Sequence, residues 1–386
     1  MNNSTIAGLD IGSSAIRLVV VETARDAKAP RVLAQVKKES RGLRRGYIIN
    51  FDETLGNLRA AIDEAERVAK IRLKSVILGI GGITLESKIS EGQVIVSKAD
   101  LEINETDLER ALAASETNLG DFVNRHILHS LPISFKLDGK KILGRPEGLK
   151  GHKLEVKTLF IHALNQHLND LTRVVEQAGL SVEEVTAAPW AASLPTLSPT
   201  QKAAGCLLAN IGSQTTSVIT FEEGVPIALQ VLPIGSNDIT NDIALGLRVS
   251  LDEAERIKLD PLSALTWKRK LDEIIEARLV DMFELIDNHL KKIGRSGLLP
   301  AGIIIVGGGA STPDLERLAR ASLRLPTKVW TPLDDPLLKN QLKDASWAVA
   351  YGLCLAGLES DRHHDWLVKL RQLGQHSLRW FKDFWP

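Results

Sequence analysis

Apolar positions along the chain recur in two matching patterns. Residues 9–22, LDIGSSAIRLVVVE, are a short apolar run, a small-residue turn and a second β-rich run, the pattern of two strands joined by a tight turn. Residues 209–222, ANIGSQTTSVITFE, repeat it at an offset of 200 positions, with Ile-Gly-Ser on Ile-Gly-Ser. A second pair follows: SVILGIGG (75–82) and IIIVGGG (303–309) each look like a buried strand ending in glycines. Self-similarity on this scale predicts two α/β lobes built alike.

Between these landmarks the period changes. In TLGNLRAAIDEAERVAK (54–70), Leu55, Leu58, Ile62, Ala65 and Val68 share one helical face. After Gly82 the halves diverge. Residues 83–163 are an insertion of strands (HILHSLPISFKLDG, HKLEVKTLFIHA) and one helix, LEINETDLERALAAS, with Asn104 as N-cap and Asp107 three residues on. A helix at 165–178 and the strand SVEEVTAA resume the first half. Residues 236–293 are a helical insertion in the second half, including KLDEIIEARLVDMFELIDNHLKKIG with Gly294 as its stop. The chain thus divides into a first lobe (1–82 and 164–202), an insertion (83–163), a second lobe (203–235 and 294–357), a helical insertion (236–293) and a tail (358–386).

Composition narrows the function classes. Lys+Arg and Asp+Glu are both 48, so zero net charge argues against a nucleic-acid binder. Two cysteines, Cys206 and Cys354, exclude a disulfide framework or a Cys-based zinc site. The opening MNNSTIAGLDIGSS has no basic stretch followed by an apolar one, so no secretory signal is expected. No apolar run reaches the ~18 residues that span a bilayer. A cytosolic protein, or one peripheral on the cytosolic membrane face, is expected. His126, His129, His162 and His167 lack metal-ligand spacing, and core or surface roles are expected for them.

Glycine turns let backbone N–H groups approach phosphate oxygens, and Ser or Thr hydroxyls add donors. One such turn is weak evidence; two at matching positions of a duplicated chain point to a phosphate site. VGGGAST (306–312), followed by the helix PDLERLARAS, adds a flat glycine surface and a helix N-terminus. GLDIGSSAIR, LANIGSQTTSV and IIIVGGGASTPDLERL resemble the two phosphate loops and adenosine motif of the actin-like ATPases. Within them the chain resembles the bacterial FtsA cell-division family. Further resemblance lies in GLRRGYIINFDETLGNLRAAIDEAERVA, in HILHSLPISFKLDG with GRPEGLKGHKLEV, and in LPIGSNDITNDIALGLRVSLDEAERIK; it runs from about Ile6 to Gly357 plus the tail.

The resemblance implies an α/β fold: a duplicated actin-like (ribonuclease H-like) two-lobe fold, its lobes 1A and 2A, with an inserted α+β 1C subdomain (83–163), subdomain 2B (236–293) and a C-terminal amphipathic helix. It implies ATP and Mg²⁺ as cofactors. Asp10 is placed near a Mg²⁺-bound water. Gly12, Ser13, Ser14, Gly212, Ser213, Gln214 and Thr215 are placed on the phosphates, and Asn210 and Gly235 beside them. Glu255, Lys258, Gly307, Gly308 and Gly309 are placed on the adenosine; by pattern alone, Glu255 and Lys258 would be a solvated helix face. It also implies self-association into filaments and attachment of FtsZ through 2B. The chain departs from the family at Asn210, where an acid is usual, at Ser213 and Gln214, where Gly-Gly is usual, and in a short connector between Lys258 and Lys268. Ala188 stands where a water-orienting carboxylate or amide is expected. Very slow or absent hydrolysis follows from Asn210 and Ala188, and the short connector bears on the surface that the family uses for FtsZ contact.

The tail carries three of the seven Trp. On a helix, Trp366, Leu367, Leu370, Leu373, Leu378, Trp380, Phe381, Phe384 and Trp385 fall within roughly a 160° arc. From Asp365 to Pro386, four basic residues oppose two acidic ones. This is the character of a helix that lies in the headgroup plane of an anionic membrane, after a short linker, LESDRHHD. The expected role is an adaptor on the cytoplasmic membrane face that polymerises and tethers FtsZ. The alternatives are a PilM-like scaffold for pilus assembly and a superfamily ATPase of other function.

Overall fold

A computed structural model describes residues 4–23, 30–120, 122–260 and 266–367. Along the chain, β1 (Ser4–Ile11), β2 (Ala15–Thr23) and β3 (Arg31–Glu39) form an antiparallel meander. A miniature hairpin, β4 (Leu43–Arg44) and β5 (Tyr47–Ile48), leads into α1 (Phe51–Ala69). Asn50 caps that helix by accepting from the Glu53 N–H. β6 (Ser75–Ile80) then adds parallel to β1.

The insertion follows as β7 (Glu86–Ile95), α2 (Glu105–Thr117), β8 (Arg125–Leu137), β9 (Lys140–Ile142) and β10 (Lys153–Leu164). The capping box forms: the Asn104 side chain accepts from the Asp107 N–H, and Asp107 accepts from the Asn104 N–H. Val96, Ile103, Leu108, Ala111, Phe135, Leu154 and Val156 give the insertion its own core. The chain returns through α3 (Asn165–Gln177), β11 (Ser181–Ala187), α4 (Ala188–Thr196) and α5 (Pro199–Ala204).

The second half repeats the first. β12 (Cys206–Ile211), β13 (Thr216–Glu222) and β14 (Val225–Leu232) form the second meander. The helices α6 (Ser236–Leu247), α7 (Leu251–Leu259) and α8 (Lys268–Lys292) come next, then β15 (Ile303–Val306), α9 (Leu315–Leu323), β16 (Thr327–Val329) and α10 (Ala348–Leu367). The first lobe's sheet has the order β11-β6-β1-β2-β3, and the second contains β16-β15-β12-β13-β14. Position for position these orders correspond, with β15 parallel to β12 as β6 is to β1. The duplication read from two turns extends to whole sheets.

Three features differ from the sequence division. The insertion, although spliced into the first lobe, joins the second lobe's sheet. β7 pairs with β14 at Glu86 and Gln230, and the Ser87 hydroxyl donates to the Leu229 carbonyl at 2.9 Å while accepting its N–H at 2.8 Å. The result is one nine-stranded sheet. Second, α10 begins within the stretch assigned to the second lobe yet packs on β1, β2, β6 and α4 of the first. Glycines permit that approach: a Cβ on Gly352 would strike the Ala191 carbonyl, and one on Gly357 would lie 2.8 Å from Ile77. Third, the expected linker 358–365 is helical, because α10 continues to Leu367. Leu370, Leu373, Leu378, Trp380, Phe381, Phe384 and Trp385 lie outside the described residues. Trp366 and Leu367 are the last residues of α10. No helix among the described residues is long and apolar enough to cross a membrane.

The α10–α4 contact yields a stability prediction. Gly352→Val forces a side chain against the Ala191 backbone, an overpacking expected to cost roughly 2–3 kcal/mol. A thermal melt should show a clearly lowered midpoint.

Candidate functional site

Both glycine turns close in the same way. The Gly12 N–H donates to the Ala15 carbonyl at 3.1 Å, and the Gly212 N–H to the Thr215 carbonyl at 2.8 Å. The two turns face each other across one cleft of about 460 Å³ between the lobes. Asp10, Gly12, Ser13, Ser14, Asn210, Gly212, Ser213, Gln214, Thr215, Glu255, Lys258, Gly307, Gly308 and Gly309 all line it. Gly235 does not. It sits behind the second turn, where a Cβ would lie 2.6 Å from the Ser213 carbonyl. That closeness lets the start of α6 fasten the turn: the N–H groups of Ser236 and Asn237 donate to the carbonyls of Gly212 and Ser213 at 2.9 and 2.7 Å.

Lys258 is not part of a solvated face, whereas the Glu255 side chain keeps 41% of its surface exposed. Lys258 is nearly buried, with 9% of its side chain exposed. Its ammonium donates to Glu255 at 2.7 Å, to the Thr240 hydroxyl at 2.7 Å and to the Ser236 carbonyl at 3.2 Å. The network ties α7 to the start of α6. On the opposite wall, Gly307 has φ of 94°, and the Asn210 side-chain oxygen and Ile211 carbonyl fill the space a side chain would need. The third glycine loop can therefore rest directly on the end of β12.

The base of the cleft carries two cations, Arg17 and Lys37, that the sequence did not single out beside Asp10. Asp10 pairs across the hairpin with Arg17, and Arg17 with Lys37 on β3; all three line the cleft. The matching row in the second lobe begins Asn210–Ser217 and is uncharged. Burial pushes the Asp10 carboxyl above its usual range, and Arg17 opposes the shift. Arg17 Nε is buried with no acceptor among the described residues. Register was the available signal: counting back across the Gly12 turn from Ile11–Ile16 puts residue 17 opposite Asp10.

Among the described residues no group of three or more His, Cys, Asp or Glu could hold a metal on its own. Mg²⁺ arriving with phosphates and waters needs only one or two carboxylates, and Asp10 meets that need. The glycine turns and the unpaired Arg17 donor suit an anion. The remaining wall is less suited to activating water. Ala188, the first residue of α4, presents only a methyl group to the cleft.

Two buried histidines hold the wall. His129 Nε2 accepts the Ala187 N–H at 3.0 Å. His167 donates from Nε2 to the Gly46 carbonyl at 2.9 Å and accepts the Thr84 hydroxyl at Nδ1, 2.6 Å away; a carbonyl can only accept, which fixes that tautomer. Burial lowers the pKa of His129 from 6.5 to about 4. The unfolded chain thus takes up a proton near pH 6.5 that the folded chain refuses until about pH 4. Stability from this site is complete above pH 6.5 and declines as pH falls through that window. The melting temperature should drop between pH 7 and pH 5, and His129→Gln should flatten the drop.

With this geometry in place, comparison with known proteins is specific. The family model for cell division protein FtsA matches residues 207–352, and that for the SHS2 domain inserted in FtsA matches residues 82–162. FtsA of Bacillus subtilis is 30% identical over 353 residues, covering 86% of this chain and 79% of its own. FtsA of Pseudomonas aeruginosa is 29% identical over 376 residues, covering 92% and 89%. Among solved structures, the PilM–PilN type IV pilus biogenesis complex aligns with a TM-score of 0.67 at 20% identity, over 92% of this chain and 98% of that one. MreB5 of Spiroplasma citri bound to ADP aligns with a TM-score of 0.51 at 11% identity, over 96% and 99%. These structural likenesses establish the fold, an actin-like ATPase fold with an SHS2 insertion.

Proposed function

The chain belongs to the FtsA family of cell division proteins, and on that premise we propose that it binds ATP in the interlobe cleft, polymerises on the cytoplasmic membrane face and tethers FtsZ there. One observation carries the nucleotide reading: two glycine turns from duplicated hairpins converge with Gly307–Gly309 on a single cleft. Backbone N–H groups of the turns, with Ser13, Ser14 and Thr215, receive the phosphates. Arg17 and Lys37 neutralise phosphate charge from the first lobe. Gly307, Gly308 and Gly309 lie under the adenosine, and Glu255 with Lys258 borders it. Mg²⁺ bound with the nucleotide would supply further charge neutralisation, and Asp10 is the residue that would hold it.

The same residues favour binding over turnover. A hydrolysing site needs a group that orients the attacking water. Ala188 has none to offer, and the amide of Asn210 is a poor proton acceptor. We therefore assign ATP the role of a bound ligand that holds the lobes together. The expected outcome is a rise in melting temperature with millimolar ATP, and single-turnover hydrolysis far below the ~1 s⁻¹ of ordinary enzymes. Arg17→Ala should weaken ATP binding by about tenfold or more, the worth of one charged hydrogen bond. Isothermal titration measures it.

Membrane attachment is assigned to residues 366–386, supported by their apolar arc and net positive charge. The fold likeness to PilM leaves a pilus scaffold as the second reading, and the tail separates the two. Full-length protein should float with anionic vesicles, and deletion of 366–386, or Phe381→Asp with Trp385→Asp, should leave it at the bottom of the gradient. Filaments on vesicles with ATP, seen by electron microscopy, and co-flotation of FtsZ with the full chain test the remaining parts. The resemblance to the family supports attachment of FtsZ through 2B, whose helices are α6, α7 and α8.

A further inference from the structure

The turn of the β4–β5 hairpin touches both glycine turns at once. The Arg45 N–H donates to Gln214 Oε1 at 2.6 Å, and the neighbouring Gly46 N–H donates to Ser13 Oγ at 3.2 Å. Ser13 belongs to the first lobe and Gln214 to the second, and both line the cleft. These bonds have a chemical consequence. The Arg45 N–H occupies one lone pair of the Gln214 oxygen and turns the amide's NH₂ away from that bond. The Gly46 N–H occupies one lone pair of the Ser13 hydroxyl and leaves its proton free to donate. Two backbone amides thus orient two side chains that line a site suited to an anion.

The hairpin turn is firmly held on its own side. Arg45 sits in the left-handed region with φ of 51°, unusual for a residue with a side chain. The Ile83 N–H donates to its carbonyl at 3.3 Å. The carbonyl of Gly46 accepts from His167, whose ring stacks on Tyr47 at 5.0 Å. Gly46 and Gly82 lie backbone to backbone, and a Cβ on Gly46 would come within 2.7 Å of Gly82 Cα. Over-determined backbone of this kind clusters where a site is pre-organised. Gln214, on the other lobe, is joined to this anchored turn through one side-chain hydrogen bond.

We propose that the Arg45–Gly46 turn is an interlobe latch: Gln214 is a positioning residue that engages it, and the engaged latch both closes the cleft and orients the Gln214 amide and the Ser13 hydroxyl as donors to the ligand. Its effect on ligand binding rests on the cleft being the nucleotide site; its effect on lobe closure does not.

The test separates the two halves of the Gln214 side chain. Spin labels at Asp63→Cys on α1 and Glu284→Cys on α8, both exposed, report the interlobe distance of the full chain by pulsed electron resonance. Gln214→Ala removes the acceptor and the donors. Without nucleotide, its distance distribution should lengthen and broaden, and ATP affinity measured by titration should fall about tenfold or more. Gln214→Glu keeps an acceptor for the Arg45 N–H but has no donor. It should hold the wild-type distance without nucleotide and still lose ATP affinity. Gln214→Asn, one methylene short of Arg45, should open like the alanine variant. A structural role with no latch would move none of these distances, or all of them alike, and either result overturns the proposal. Should the wild type fail to bind ATP, the nucleotide reading falls, while the nucleotide-free distances still decide the latch.

Discussion

The site depends on where two backbone amides point. Gly12 and Gly212 each turn inward to close a four-residue turn, 12–15 and 212–215, which leaves the residues that follow them facing the cleft. That geometry holds because β1 and β12 are each clamped between an antiparallel and a parallel neighbour, β2 with β6 and β13 with β15. A central strand paired on both sides cannot slip register without turning its core residues to the wrong face. Apolar burial fixes the strands, the strands fix the turns, and the turns fix the cleft.

Symmetry of backbone is not symmetry of charge. The first lobe brings Asp10, Arg17 and Lys37 to the cleft in one row; the second brings Asn210 and Ser217. Duplication supplies two equal scaffolds, and side chains then divide the work. The first lobe brings its charges through the strand row, while the second contributes neutral donors from its row and the Glu255–Lys258 ion pair from α7.

What the sequence revealed follows from the range of the interactions concerned. The hairpins, the Asn104–Asp107 box and the helix through Leu55, Leu58 and Ile62 are local, and their residues signal them within a few positions. Burial of Lys258 was not legible, because it depends on Ser236 and Thr240 some twenty residues away. Placement of α10 on the first lobe was hidden for the same reason: Gly352 looks like a flaw in a helix until Ala191 lies against it. Arg17 lay between these cases, recoverable from strand register although no motif marked it. Nothing local tied the Arg45–Gly46 turn to Gln214.

The insertion has two kinds of connection, and they lead to different lobes. Covalently it hangs from the first lobe, leaving after Gly82 and returning at α3. Through hydrogen bonds it extends the second lobe's sheet, at Glu86–Gln230 and the Ser87 hydroxyl. The insertion is therefore joined to both lobes at once: to the first by peptide bonds, and to the second by the β7–β14 pairing, the Ser87 hydroxyl and the Lys141–Glu223 ion pair. Its placement is a shared boundary condition of the two lobes.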